Sequence, residues 1–400
     1  MRILIATSNR IVVGGVETYL EALLPRLLVS GHELAIVHEE ATIPGRETID
    51  QPGGGVTTWS VAELGGEGAK RAFDQWKPDV VYSHGLRGAD LESHLIENYP
   101  VVLYAHNYYG TCVSGRKCHS FPRATPCGRT FGPGCMVQYY PRRCGGLDPG
   151  TMWRMFQRQT MLHSRLPRFP AILVASRHMF EEFQFNGVNA DKLHVVPLPA
   201  TNIVPMSTAP RERIPSGRIL FVGRLMDVKG VDYLIRAIAQ VGRKLRLTVA
   251  GEGPERERLE TLAKRLGVEA EFAGWVGTRE KISLIQQADL VAVPSVWPEP
   301  FGLVGVEAGC LGVPAIAYQV GGIRDWLIPG ESGELAPADP PSVEGLRDAI
   351  LRALADQIHF SRLCRGAWEN SKRFSMEAHL ARLEPLLAAA VNRPEGVLAE

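Results

Sequence analysis

Two glutamates eight positions apart mark the stretch of the sequence best equipped for chemistry. In WPEPFGLVGVEAGCLGVP, residues 297–314, Glu299 lies in a Pro-rich loop and Glu307 lies in the first turns of a predicted helix. Amides at such a helix start are free donors at the positive end of the helix dipole. These amides belong to Phe301, Gly302 and Leu303. The carboxylates could simply complement the dipole, but a sugar nucleotide would use both groups, with its hydroxyls on the carboxylates and its phosphate on the amides.

Two cations follow a predicted strand in the same half of the chain. Arg224 and Lys229 lie in FVGRLMDVKGVDYLIRAI, flanked by Gly223 and Gly230, where a strand leads through a loop into a helix. Glycine allows close backbone approach, and two cations at the carboxyl end of a strand suit a diphosphate. Surface charge would also explain them, but the glycines on either side favour phosphate binding.

The first half of the chain has a weaker counterpart of this pattern. Gly14 and Gly15 lie in SNRIVVGGVETYL, between a predicted strand and a predicted helix. The helix start could bind an anion. A tight turn explains the glycines equally well, so this stretch alone does not establish a ligand.

The elements that must position these residues are short apolar strands alternating with helices, which is typical of a parallel sheet covered by helices. The predicted strands of the first half cover residues 2–7, 33–38, 79–84, 101–106, 171–176 and 192–198, and those of the second half cover 218–223, 245–251, 270–276, 289–295 and 313–318. Ligands of such folds bind beyond the carboxyl ends of the strands. With two such domains, the natural site is the cleft between them.

The chain divides at a segment rich in Pro and Ser, residues 197–217, which we predict to be a linker. We therefore expect a first domain over residues 1–200, with a basic, Cys-rich insert at about 107–150, a second domain over 201–375, and a terminal helix and tail over 376–400. The terminal helix could cap the second domain or return to the first.

Composition describes a soluble globular protein, with 45% apolar and 22% charged residues. No apolar run approaches the roughly 20 residues that span a bilayer. The stretch MRILIATSNR shows no apolar core of a signal peptide, so we expect a cytoplasmic protein. The segment 111–180 carries eleven Lys or Arg and one carboxylate, Asp148. This bias suggests a surface for anions such as lipid head groups, phosphates or nucleic acid, although acidic neighbours could also neutralise it.

Five of the seven cysteines lie in the same basic region. They are Cys112, Cys118, Cys127, Cys135 and Cys144. A cytoplasmic location argues against stable disulfides. Four or five thiols with His119 could hold zinc, but no Cys-x-x-Cys pair occurs, and reduced packing cysteines are the simpler interpretation. We therefore assign no metal ligand.

The pattern Glu-x7-Glu in EPFGLVGVE, preceded by FVGRL…KG and AGEGP, resembles the retaining nucleotide-sugar glycosyltransferases of family 4, which have GT-B architecture. The GGVE and VLYAHN stretches of the first half are similar as well, and the resemblance covers about residues 1–390. It implies an α/β protein of GT-B fold, in which two Rossmann-like, doubly wound domains face a central cleft. It also implies transfer of a sugar from a nucleotide-diphosphate sugar to an acceptor hydroxyl.

The resemblance assigns roles to particular residues. Arg224 and Lys229 would bind the donor diphosphate, with Gly15 letting the first domain approach it. Glu307 would bind the ribose and Glu299 the donor sugar. The amides of Phe301, Gly302, Leu303 and Val304 would meet the phosphate and sugar. His106 would face the donor sugar near the reacting centre, although a lone histidine at a strand end is otherwise often structural. No cofactor or metal is required.

The departures from the family pattern lie on the acceptor side. The stretch PLPATN replaces a common Asn-Gly-Val-Asp motif, and the insert after the VLYAHN strand is longer than expected. We expect a sugar or lipid-linked acceptor in polysaccharide, lipopolysaccharide or glycolipid assembly, and an anionic membrane at the inner face as a partner of the basic segment. No stacking aromatic motif accompanies the basic run, so nucleic acid is not expected. The alternatives are a GT-B nucleotide-sugar epimerase and a non-catalytic nucleotide-sugar-binding protein.

Overall fold

The computed structural model describes residues 1–12, 14–43, 46–50, 56–122, 124–201, 203, 208–210, 212 and 214–392. Part of the predicted linker and almost all of the predicted tail, residues 393–400, lie outside these ranges. The strands, β1 to β15 in chain order, are Arg2–Thr7, Glu33–His38, Thr57–Ser60, Val80–Ser83, Val101–Ala105, Cys118–His119, Thr125–Pro126, Ala171–Val174, Leu193–Val195, Arg218–Val222, Arg246–Ala250, Glu269–Gly274, Leu290–Val293, Ala315–Tyr318 and Gly333–Ala336.

The helices alternate with these strands over most of the chain. In chain order, α1 to α13 are Gly15–Val29, Val61–Trp76, Ala89–Asn98, Gly134–Tyr139, Pro149–Arg165, Arg177–Phe185, Val231–Ala239, Arg256–Leu266, Thr278–Gln287, Leu303–Cys310, Val343–Ala353, Gln357–Ser371 and Met376–Val391. The helix predicted to follow Gly14 and Gly15 is confirmed as α1.

The first half forms a parallel sheet in the order β3-β2-β1-β4-β5-β8-β9. Its central strands are buried along nearly their whole length, because helices cover both faces. Strand β4 lies between β1 and β5, so the loops after β4 and β5 leave the sheet side by side. These two loops carry His84 and His106.

The second half forms another parallel sheet, in the order β12-β11-β10-β13-β14-β15. The chain builds outward from β10 in one direction and then from β13 in the other, so the order reverses between these neighbours. Such a switch point opens a crevice at the carboxyl ends of the two strands. The predicted α/β class, with two doubly wound domains, is confirmed.

The last helix, α13, returns to the first domain. His379 on α13 hydrogen-bonds the carbonyl of Pro197 and the hydroxyl of Tyr19, and His32 lies 3.6 Å from Glu384. The sequence left open whether this helix caps the second domain or returns to the first, and the structure shows that it returns to the first.

The basic insert contains the short antiparallel pair β6 and β7 and the helix α4, and α5 follows it. Lys117 within it forms a buried ion pair with Glu182 on α6, at 2.5 Å. Acidic neighbours therefore neutralise part of the basic segment, as one of the two interpretations of its charge required. Several of its cations nevertheless remain exposed.

Candidate active site

Glu299 lies at the switch point of the second sheet. It belongs to the loop after β13, while Lys229 ends a short 3-10 turn after the neighbouring strand β10, and the two side chains form an ion pair. The Ser295 hydroxyl donates a second hydrogen bond to the same carboxylate oxygen at 2.6 Å. Burial raises the pKa of Glu299, but the Lys229 charge and these hydrogen bonds outweigh it, so the pKa lies below its usual range. The carboxylate is therefore held ionised.

Glu307 lies on α10 and forms an ion pair with a different lysine, Lys281. Lys281 Nζ on α9 is 2.8 Å from its Oε1, and the Thr201 hydroxyl donates to the same oxygen at 3.3 Å. Burial raises the pKa of Glu307 above its usual range, and Lys281 and Thr201 offset this only in part. Lys281 was not predicted, because the residue pattern of α9 is that of an ordinary surface helix.

The residues at the start of α10, Gly302 to Val304, are only partly buried. Gly302 precedes the helix with a φ of 85°, a left-handed conformation that favours glycine. Leu303 and Val304 begin the helix, and amides in its first turn have no partner within the helix. The Trp326 indole N–H donates to the carbonyl of Phe301 at 2.6 Å and fixes the loop from behind. The predicted donors thus lie together beside Glu299.

The two other residues predicted to lie at the diphosphate, Arg224 and Gly15, are exposed. Arg224 is exposed, and its side chain makes no hydrogen bond or ion pair with the residues that the structure describes. A Cβ added to Gly230 would lie 2.0 Å from the Pro294 carbonyl oxygen, so only glycine fits between the two loops. Gly15 is exposed at the start of α1 and has open space around it.

His106 lies at the carboxyl end of β5, in the first domain. Its Nε2 is 2.8 Å from Nδ1 of His84, and burial lowers its pKa to about 3. Both histidines line a cavity of about 390 Å³, and Asn107, Tyr109 and Arg158 line it as well. At neutral pH His106 is uncharged, so it can act there as a hydrogen-bond partner but not as a cation.

The two domains meet at the loop that carries Glu299. Tyr108 in the loop after β5 donates to the carbonyl of Pro298, and the Ser176 hydroxyl donates to the carbonyl of Pro300 at 2.7 Å. These hydrogen bonds hold the peptides on both sides of Glu299. The loop that carries Glu299 is therefore in direct contact with the loop that follows His106.

The five cysteines of the insert share one small cavity of about 30 Å³, together with His119. All five are free thiols. In the ranges that the structure covers, no group of three or more His, Cys, Asp or Glu side chains is arranged to hold a metal ion.

Large apolar side chains of the insert and of α5 are exposed, and Arg143 lies over the ring of one of them, Phe121. These apolar side chains are Phe121, Val137, Leu147 and Trp153, and each is at least 48% exposed. None of the helices in the described ranges combines the length and apolar character needed to cross a membrane.

Two family models match consecutive parts of the chain. The one described as Glycosyltransferase Family 4 covers residues 13–200, and the one described as Glycosyl transferases group 1 covers residues 211–373. The chain belongs to the family 4 glycosyltransferases. The resemblance stated from the sequence motifs is thereby confirmed.

Curated relatives of this family 4 glycosyltransferase have several names. The D-inositol 3-phosphate glycosyltransferase of Xylanimonas cellulosilytica is 33% identical over 245 residues, 56% of this chain and 58% of that protein. The glycogen synthase of Mycobacterium tuberculosis is 35% identical over 165 residues, 40% of this chain and 39% of that protein. The chain spans about half the length of the curated relatives it matches.

Solved structures share the fold over almost the whole chain. Sucrose-phosphate synthase from Thermosynechococcus elongatus has a TM-score of 0.71 at 22% identity, covering 97% of this chain and 98% of that one. Anabaena HepE in complex with UDP-glucose has a TM-score of 0.69 at 18% identity, covering 97% of this chain and 100% of that one. The predicted GT-B architecture of this family 4 glycosyltransferase is confirmed.

Proposed function

We propose that the protein transfers a sugar from a nucleotide-diphosphate sugar to an acceptor hydroxyl, with retention of configuration at the transferred carbon. The observation that carries the proposal is the pair of buried carboxylate–lysine contacts, Glu299 with Lys229 and Glu307 with Lys281, beside the start of α10. Glu299 would bind hydroxyls of the donor sugar and Glu307 those of the ribose, while the cations turn to the diphosphate.

The chemistry that this site supplies is stabilisation of a leaving diphosphate. Negative charge develops on the phosphate as the glycosidic bond breaks, and Arg224, Lys229 and the α10 dipole would neutralise it. No metal is needed for this step, so we expect turnover to survive EDTA. The described residues that line the cavity at His106 include no carboxylate, which supports attack of the acceptor from the face that the diphosphate leaves, without a covalent intermediate.

The decisive variant is Arg224→Met. Arg224 is exposed and its side chain has no partner among the described residues, so its loss removes a charge without leaving a buried group unpaired. Lys229→Ala would also abolish turnover, but it would leave Glu299 buried without its cation. We expect Arg224→Met to lower kcat/KM for the active donor at least 100-fold. Arg265→Met, an exposed cation on α8, is the matched control and should leave kcat/KM unchanged.

The first donor to test is a UDP-sugar, because the Anabaena HepE structure contains UDP-glucose. Release of nucleoside diphosphate and formation of an α- or β-linked product, compared with the donor by NMR, measure transfer and retention together. An epimerised sugar nucleotide formed without acceptor would instead identify an epimerase. Binding of UDP without turnover of any sugar nucleotide would identify a non-catalytic binding protein, and full activity of Arg224→Met would contradict the site.

We also propose that the insert docks on an anionic membrane and presents a lipid-linked acceptor to the cavity. Exposed arginines lie there beside exposed apolar side chains, a combination that binds anionic lipid surfaces. The test variant reverses Arg142, Arg143, Arg154 and Arg158, and the control reverses Lys244, Lys264, Arg265 and Arg279 of the second domain. Only the first should lose sedimentation with phosphatidylglycerol vesicles, and equal binding by both variants would dismiss the proposal.

A further inference from the structure

A second histidine lies behind His106. His84 follows β4, the strand beside β5, and its side chain is 92% buried, being 8% exposed. Its Nδ1 contacts Nε2 of His106 at 2.8 Å, whereas its own Nε2 is buried and has no partner among the described residues. An unpaired buried polar atom destabilises a fold, so its presence here beside the cavity requires an explanation.

Both rings of this pair are neutral. Burial lowers the pKa of His106 to about 3 and that of His84 well below its usual range. The rings of Tyr19, Tyr82 and Tyr104 pack against the pair, and none of these phenols is ionised at neutral pH. Each histidine of the pair therefore has one N–H and one lone pair.

Only one of the two rings can donate across the contact. If His106 donates from Nε2, His84 must be protonated on its buried Nε2, which leaves an N–H without an acceptor. If His84 donates from Nδ1, only a lone pair is left unpaired, and His106 keeps its proton on Nδ1. Buried N–H groups without a partner are rarer than under-satisfied acceptors. The second arrangement is therefore favoured.

We infer that His84 is a positioning residue, which orients His106 and fixes its proton on Nδ1, so that His106 offers a neutral N–H to an oxygen of the ligand. The inference rests on the proposed function for the identity of that ligand, a sugar nucleotide or its acceptor. In this role His106 is a hydrogen-bond donor and not a general base. The cavity of about 390 Å³ that both histidines line has room for a sugar ring.

The direct test is the tautomer of His106 in the free protein. Long-range 1H–15N spectra of ¹⁵N-histidine-labelled protein at pH 7.5 distinguish the two tautomers, and His106→Asn identifies the signal. We expect a protonated Nδ1 in the unmodified protein. In His84→Leu the donor to His106 Nε2 is lost, so the His106 proton should no longer be confined to Nδ1. His84→Asn should restore the Nδ1 tautomer, because its side-chain amide can donate from nearly the same place. A proton on Nε2 of His106 in the unmodified protein would overturn the inference.

Turnover gives a second readout. His84→Leu should lower kcat about 10- to 100-fold, less than loss of the His106 donor itself, with little change in KM, and His84→Asn should recover most of it. If neither variant changes kcat, His84 does not act through His106. The spectra need no substrate, so a proton on Nδ1 without any sugar transfer would refute the proposed function while leaving the inference intact. If His84→Leu does not fold, the unmodified protein and His84→Asn still decide the tautomer.

Discussion

The two glutamates of the site differ in how well a cation compensates their burial. Glu299 has a pKa below its usual range, because Lys229 and a serine hydroxyl together outweigh burial. Glu307 has a raised pKa, because Lys281 and Thr201 do not fully offset it. Ligand hydroxyls that donate to Glu307 would thus complete an under-compensated carboxylate, whereas those that donate to Glu299 must compete with a strong partner.

The buried pair of Glu307 and Lys281 permits a prediction about stability. Lys281→Met leaves the carboxylate buried without its cation, so we expect the free energy of unfolding in urea to fall by about 3 kcal/mol at pH 7.5. The double variant Lys281→Met with Glu307→Gln removes the charge as well and should recover most of the loss. A double variant no more stable than the single one would show that packing, and not the unpaired charge, causes the effect.

Individual site residues could be predicted where a strand end carries them. Glu299, Lys229 and His106 all follow apolar strands; the charges and glycines around the first two indicated a role, and the family resemblance implied one for His106. The contact of Glu299 with Lys229 could not be predicted, because it depends on β10 and β13 being neighbours in the sheet. Lys281 could not be predicted either. His84 could have been, since it ends the predicted strand 79–84 as His106 ends the next one.

At the scale of elements, the sequence predicted the central strands and one edge strand of each sheet, and missed the other edge strand of each. Strands β3 and β15 were not predicted, because neither is an apolar run. The central strands are buried on both faces and are therefore apolar throughout, which makes them recognisable. The docking of α13 also depended on tertiary structure: a periodic pattern predicts a helix but not the domain against which it packs.

The contact of α13 with the first domain should make stability depend on pH. His379 Nδ1 donates to the Pro197 carbonyl at 2.8 Å, so its Nε2 accepts from Tyr19 at 2.7 Å and the ring is neutral. Burial lowers its pKa to about 4, below the value of about 6.5 in the unfolded chain. The unfolded chain therefore binds more protons below pH ~6.5, and stability is lost as the pH falls from there towards 4.

The measurement is the melting temperature between pH 7.5 and 5. One histidine of this kind contributes up to about 1.4 kcal/mol per pH unit within that window. His379→Gln should reduce the decrease on acidification, and the comparison at pH 7.5, where this histidine is neutral in both states, separates changes in packing from protonation. An identical pH dependence in the variant would exclude His379 as a cause.

At the scale of the whole molecule, the two domains contact each other at the loop that carries Glu299. Tyr108 and Ser176 of the first domain hydrogen-bond the carbonyls on either side of Glu299, and Arg116 of the insert lies 3.2 Å from Asp227 in the turn that ends at Lys229. The first domain thus contacts both loops that supply the carboxylate–lysine pair. The position of Glu299 therefore depends on contacts from the first domain as well as from the second.

This coupling predicts that first-domain substitutions weaken donor binding. Tyr108→Phe with Ser176→Ala removes the hydroxyls that donate to the carbonyls of Pro298 and Pro300. A buried carbonyl that loses its donor costs about 1–3 kcal/mol. We expect the double variant to raise KM for the sugar nucleotide at least tenfold and to separate the unfolding of the domains in calorimetry. Tyr99→Phe, whose hydroxyl bonds Asp74 within the first domain, is the matched control. Unchanged KM and one unaltered transition in the double variant would mean that Glu299 is positioned by the second domain alone.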